Sequence, residues 1–136
     1  MVFTMKKEEK TNVMRVLDAK KISYESHNYV DSGAISGTEV AKALGQNPDA
    51  VFKTLVTVSK SKNYYVFLVP VEKELDLKKA ARACGEKAVE MLPQKELLPR
   101  TGYVHGGCSP VGMKKLFRTT LDESAKQRTH IFFSGG

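Results

Sequence analysis

Lys53 interrupts the run Val51-Phe52-Lys53-Thr54-Leu55-Val56-Thr57-Val58, which otherwise reads as a buried β-strand. An ammonium ion that is desolvated without a partner loses several kcal/mol, so a lysine inside an apolar strand calls for a reason. On an alternating strand Phe52, Thr54, Val56 and Val58 point one way, and Lys53, Leu55 and Thr57 the other. Either the Lys53 side chain snorkels to a rim, or it is held in a cleft to meet an anion.

A second cluster able to do chemistry is the loop His105-Gly106-Gly107-Cys108-Ser109-Pro110-Val111-Gly112. Consecutive glycines let backbone N–H groups approach a phosphate or carbonyl oxygen without a Cβ in the way. A tight turn is the simpler reading, and the spacing matches neither a Walker A loop nor a dinucleotide fingerprint. His105 and Cys108 stand three apart, but a nucleophile–base pair also needs a third, orienting group, which spacing does not supply. A buried structural cysteine is the plainer account of Cys108. His27, near Tyr29, reads as a surface or core histidine. With three histidines and no carboxylate pattern around them, no metal site is expected.

The elements that must carry these groups follow from pattern. Thr11 or Asn12 caps a first helix with Val13, Val16 and Leu17 inward. Ile22 to Tyr29 reads as a strand, and Ser32 to Ile35 as a loop. Ser36-Gly37-Thr38-Glu39 has capping-box spacing for a short helix reaching Leu44 and stopping at Gly45. Pro48 opens a further helical turn ahead of the Lys53 strand. Tyr64 to Val69 is its hairpin partner at the centre of a sheet. Asp76 caps a helix with Leu77, Ala80, Ala81 and Cys84 inward, closed by Gly85. Ala88–Met91, Thr101–Val104, Leu116–Leu121 and His130–Phe133 read as strands, with short helices at Pro93–Leu98 and from Asp122. The mixture lacks a βαβ rhythm and indicates one α+β domain on a mixed sheet.

Composition narrows the partners. The chain has 136 residues, enough for one core without staples. Its 22 Lys+Arg against 15 Asp+Glu give a formal charge of +7, which suits an anionic partner such as nucleic acid and also serves ordinary solubility. The two cysteines, Cys84 and Cys108, are too few for a disulfide framework and suggest free thiols in a reducing compartment. No apolar run approaches the roughly 20 residues that span a bilayer, and no signal-peptide core is visible, so a cytoplasmic protein is expected.

Taken in order, Val51-Phe52-Lys53-Thr54-Leu55-Val56, Val69-Pro70-Val71, Glu74-Leu75-Asp76-Leu77-Lys78-Lys79, Thr101-Gly102-Tyr103, Gly106-Gly107-Cys108-Ser109-Pro110-Val111-Gly112 and Ser134-Gly135-Gly136 resemble the YbaK/EbsC family. These are free-standing aminoacyl-tRNA editing proteins related to the insertion domain of bacterial prolyl-tRNA synthetases. The resemblance runs from about Thr11 to the last residue. It implies a charged extension over residues 1–10 and an editing domain over 11–136, with a partly antiparallel, barrel-like sheet flanked by short helices. It also implies deacylation of cysteine mischarged on proline tRNA, Cys-tRNA(Pro), with no metal or organic cofactor. In that family the substrate's own thiol is thought to attack its ester carbonyl, so the protein supplies positioning and electrostatics.

Carried over by position, Lys53 matches the family's essential lysine and Gly106 the catalytic backbone of the glycine loop. Tyr29, Ser36, Thr54, Gly107, Ser109 and Ser134 correspond to substrate-contacting positions. Ser36 stands where some members have phenylalanine, which would loosen a pocket wall. The family continues past Ser-Gly-Gly with a strand bearing an acidic active-site residue and a closing helix, so a domain shortened at its C-terminus is expected. The implied partners are the acceptor end of aminoacylated tRNA and prolyl-tRNA synthetase. A deacylase for another small amino acid and a non-catalytic module for tRNA ends stand as alternatives, and the oligomeric state is not indicated.

Overall fold

The structure is a computed structural model and describes residues 2–3, 10–27 and 37–135. Tyr29, Ser36 and the expected 32–35 loop lie outside the described residues. A two-residue strand β1 (Val2–Phe3) pairs in parallel with β2 (Glu25–Ser26), which is all that the expected Ile22–Tyr29 strand contributes among the described residues.

The β-branched and aromatic run around Lys53 forms β3 (Phe52–Ser59), and the apolar run after the turn forms β4 (Tyr64–Pro70). They pair antiparallel in register from Phe52↔Pro70 to Val58↔Tyr64. Lys62, at φ +65°, turns the chain, and the Ser59 hydroxyl accepts from the Asn63 amide at 3.1 Å. Below the turn, Tyr65 and Asn63 donate to the Glu86 carboxylate, and these hydrogen bonds, Tyr65's foremost, hold it below the ordinary carboxylate range. β5 (Val89–Met91) adds antiparallel to β3 and β6 (Arg118–Leu121) adds parallel to β4, so the order is β5-β3-β4-β6. The sheet is mixed, as expected. Among the described residues β5 and β6 are its edge strands.

Alternation gives each face its own core. Phe52, Val56, Val58, Val66 and Leu68 pack with Leu92, Leu97 and Cys108 on one side. Phe67 packs with Val89 and with Ala80, Ala81 and Cys84 of α3 (Leu77–Cys84) on the other. This helix begins at Asp76, whose carboxylate accepts from the Lys78 and Lys79 amides, and ends at Gly85 in the left-handed conformation. Leu77 was expected inward but is 38 % exposed: it is the first residue of the helix, ahead of the Ala80, Ala81 and Cys84 face that packs on the sheet. A third cluster joins Val13, Met14 and Leu17 of α1 (Asn12–Ala19), capped by Thr11, to Phe133, with Tyr103 and Val111 packed against it. Met14 takes the inward place expected of Val16.

α2 (Gly37–Ala43) and a 3-10 turn at Pro48–Ala50 lead into β3 as the sequence indicates. A second 3-10 turn, Glu123–Gln127, follows Asp122. Three strand expectations change. Thr101 ends α4 (Gln94–Thr101) instead of starting a strand: its hydroxyl donates to the Leu97 carbonyl at 2.7 Å, and Gly102, at φ +88°, closes the helix. β6 begins only at Arg118 and leaves Leu116 fully exposed. His130–Phe133 forms a single parallel bridge, Val51↔Phe132, rather than a strand.

Candidate functional site

β3 carries a notch at Lys53. On the side away from β4, Phe52 donates its amide to Phe132 at 2.8 Å, and the Val56 carbonyl accepts from Leu92 at 3.0 Å. Between those two contacts, residues 53–55 have no strand neighbour on that side among the described residues. Lys53 and Ser134 each stand two residues beyond the parallel Val51↔Phe132 bridge, so Ser134 enters at the same end of β3. His27 packs edge-on against Phe132, with ring centroids 6.5 Å apart.

Lys53 is half-buried opposite Val69. Among the described residues it makes no hydrogen bond or ion pair. Cross-strand pairing puts it on the α3 side of the sheet with Leu55 and Phe67, whereas Thr54, opposite Leu68, belongs to the side that packs on Cys108. The sheet therefore separates Lys53 from the glycine loop at the level of Cβ. A lysine stem at an edge notch is long enough to cross to the other face. Thr54 is the second unsatisfied group: its Oγ1 is buried and has no hydrogen-bond partner among the described residues. A buried hydroxyl left unpaired costs about 1–3 kcal/mol. An unpaired cation and an unpaired buried hydroxyl thus occur on consecutive residues beside an open strand edge.

The glycine loop divides into parts with different tasks. The Gly107 amide donates to the Val104 carbonyl at 3.0 Å, closing a four-residue turn in which Gly106, at φ +84°, holds the third position. That position requires glycine, as in a type II turn. Gly107 has no such requirement: a Cβ there would meet only Val104 Cγ2 at 3.5 Å and the Val104 carbonyl oxygen at 3.8 Å. The turn uses the Gly107 N–H and leaves the Gly106 N–H as the open donor of the pair.

Ser109, expected as a substrate contact, is fully buried, and its hydroxyl accepts from the Val111 amide at 3.3 Å. Its contribution is to the shape of the loop. Tyr103 donates its hydroxyl to the Val111 carbonyl from the other side. Gly112, at φ +77°, sits so close to Asn12 Nδ2 and the Tyr103 hydroxyl that a Cβ would approach to 2.9 and 3.0 Å.

A His105–Cys108 nucleophile pair does not assemble, in keeping with the buried structural cysteine that the sequence suggests. His105 is exposed, while Cys108 is buried in the core beneath β3. Burial pushes the Cys108 thiol up to about 11, against a smaller opposing effect of the Thr101 hydroxyl, so it stays protonated near neutral pH. Cys108→Ala is expected to keep deacylation within about twofold and to lower stability by about 1–2 kcal/mol through lost packing. Single-turnover ester cleavage and urea unfolding check the two halves, and a collapse of cleavage in a folded variant would restore the thiol as a nucleophile. Among the described residues no three His, Cys, Asp or Glu side chains gather as a metal-ligand set, and no helix is long and apolar enough to cross a membrane.

Lys53, Thr54, the glycines and Ser134 were named from sequence. The notch was not, because it depends on which segments pair with β3.

Known proteins resemble this chain in sequence and in fold. The family model of the aminoacyl-tRNA editing domain matches residues 32–136. A relative from Enterococcus faecalis, the proposed Cys-tRNA(Pro)/Cys-tRNA(Cys) deacylase EbsC, is 46% identical over 132 residues, which cover 96% of this chain and 80% of that protein. A solved structure of a proposed trans-editing enzyme for prolyl-tRNA synthetase is 34% identical with a TM-score of 0.60, covering 65% of this chain. The matched part spans 55% of that structure. The hypothetical protein APE2540 has a TM-score of 0.83 over 93% of this chain and 83% of its own, at 21% identity, and shares the fold.

Proposed function

The chain belongs to the aminoacyl-tRNA editing domain family, whose chemistry is removal of an amino acid from tRNA, and from that premise we propose that its substrate is Cys-tRNA(Pro). The observation that carries this reading is the engagement of the nucleophilic side chains in and beside the glycine loop in holding the fold. Cys108 is kept neutral by burial, Ser109 is walled off, and the Thr101 hydroxyl is bonded to the Leu97 carbonyl. A cysteinyl ester brings its own nucleophile. Its thiol attacks its carbonyl carbon, the C–S bond forms as the ester C–O bond breaks, and the terminal ribose oxygen leaves with the thiol proton. A cyclic thiolactone is released and the tRNA is left uncharged.

In this reading the protein's work is orientation and charge stabilisation. Lys53 meets the developing negative charge or the terminal phosphate. The Thr54 hydroxyl finds in the substrate the partner it otherwise lacks, and the Gly106 N–H faces the ester carbonyl oxygen. Gly107 leaves room for the aminoacyl group to approach. Tyr29, Ser36 and Ser134 are the further substrate contacts that the family resemblance supplies to this reading. Cysteine and proline are too close in size for a synthetase pocket to separate by apolar contact, which is the error such an activity would clear. Prolyl-tRNA synthetase is the proposed partner that delivers the tRNA, and translation places the activity in the cytoplasm.

A panel of mischarged tRNAs tests the proposal. Cys-tRNA(Pro) is expected to lose its ester and Ala-tRNA(Pro), which has no thiol, to persist. Cleavage of Ala-tRNA(Pro) with Cys-tRNA(Pro) intact would reverse the assignment. Binding of both without cleavage would make the chain a tRNA-end binding module.

A further inference from the structure

We infer that the loop over residues 110–119, with Lys114, Lys115 and Leu116 at its crest, is the surface on which the acceptor stem of the tRNA lies. The identity of the polyanion rests on the deacylase reading above; the surface itself is argued from charge, exposure and support.

Charge comes first. Between Glu96 and Asp122 the chain has no acidic residue, and it carries Arg100, Lys114, Lys115 and Arg118. The stretch between Asp49 and Glu72, with Lys53, Lys60 and Lys62, is likewise free of acids, but of the two only the 97–121 run sets adjacent cations, Lys114 and Lys115, on one exposed loop, an electrostatic footprint for phosphates. Arg100 is partly engaged by Glu96 at 3.7 Å, and Arg118 donates to the Ala83 carbonyl at 3.2 Å. Lys114 and Lys115 are exposed and, among the described residues, form no ion pair.

Exposure comes second. Leu116 is entirely open to solvent between the lysines and the core-packed Phe117. Beside it runs a groove of about 210 Å³ lined by Pro110, Met113, Lys115, Leu116, Phe117 and Thr119. Enclosed small-molecule sites hold about 300–1,000 Å³, so this groove suits part of a chain laid across it better than a swallowed ligand. Phosphates flanking the apolar edge of a ribose match cations flanking a leucine.

The loop is also held in place. The Lys114 amide donates to the Thr101 carbonyl at 3.0 Å, and the Lys114 stem lies over Gly102. The Phe117 ring packs at 5.8 Å on Tyr64, and the Arg100 guanidinium lies over the Tyr64 ring at 4.7 Å. Leu116 is thus presented by a supported loop. Pro110, at the start of the groove, is three residues from Gly107 and so at most about 11 Å from it along an extended chain. A strand end reaching the glycine turn would leave its stem over Lys114 and Lys115.

The experiment uses an acceptor-stem minihelix of tRNA(Pro) and the Lys114→Ala/Lys115→Ala double variant. Fluorescence anisotropy across a salt series is expected to show about tenfold weaker minihelix binding, and a log–log salt slope shallower by about 1–2, as for two lost phosphate contacts. KM for the cysteinylated minihelix should rise with kcat kept, while cleavage of the 3′-cysteinyl ester of adenosine, which has no stem, should not change. Unaltered minihelix affinity and salt slope in the double variant overturn the surface, whether or not the ester is cleaved. Unaltered minihelix binding with lost capture of prolyl-tRNA synthetase also overturns it and makes the loop a protein-docking site. If the variant loses minihelix binding but the parent protein cleaves no cysteinyl ester, the surface stands and the deacylase reading fails.

Discussion

Lys53→Ala is expected to lower the rate of Cys-tRNA(Pro) deacylation by about 10²- to 10³-fold, the scale seen when one preorganised charge-stabilising group is removed. The same substitution should leave stability within about 0.5 kcal/mol, as for surface changes away from special features. The two expectations belong together. A half-buried lysine that makes no hydrogen bond or ion pair among the described residues contributes little to the fold, so its removal has little to break. Its charge lies beside a strand edge and a Thr54 hydroxyl that have no partner among the described residues, and it has value only when an anion arrives. Single-turnover kinetics on Cys-tRNA(Pro), with urea unfolding of both proteins, separates the roles. A variant as active as the parent would return Lys53 to a snorkelling side chain with no part in the reaction.

Gly107→Ala should cost about 10-fold or more in deacylation while the protein keeps its fold, because the added methyl meets only ordinary contacts with Val104 within the protein. Gly107 is not at positive φ, so alanine brings no backbone strain there. What the methyl blocks is the close approach of a ligand to the backbone. Gly106→Ala is the informative contrast. It forces a Cβ onto a residue at φ +84°, and its loss of activity would be mixed with distortion of the turn. The measurement is kcat and KM for both variants beside their thermal unfolding curves. Full activity in Gly107→Ala would mean that the paired glycines serve the turn alone.

These two residues show how far a sequence carries the argument. Alternation along Phe52–Val58 and the apolar run from Tyr64 were enough to set the hairpin and the two faces of the sheet, because side-chain period on a strand is a local property. Asp76 and Gly85 marked both ends of α3 for the same reason: capping is chemistry within a few residues. The motifs in order indicated an editing domain, and the 46% identical relative agrees. Where local signals competed, the reading slipped. Thr101-Gly102-Tyr103-Val104 has strand-like residues, yet a single hydroxyl-to-carbonyl bond and a left-handed glycine turn it into a helix end.

What the sequence determined by itself, then, was which residues are chemically out of place: a lysine in an apolar strand and paired glycines in a loop. Only the tertiary structure decided what each faces. Whether β3 has a neighbour at Lys53 depends on Phe132 and Leu92, which lie more than thirty residues away along the chain. Whether Gly106 or Gly107 is required by the turn depends on one backbone hydrogen bond, and whether Cys108 can react depends on the core that closes over it. Side-chain type and period are written locally, but burial, strand neighbours and unpaired groups arise only when distant segments meet.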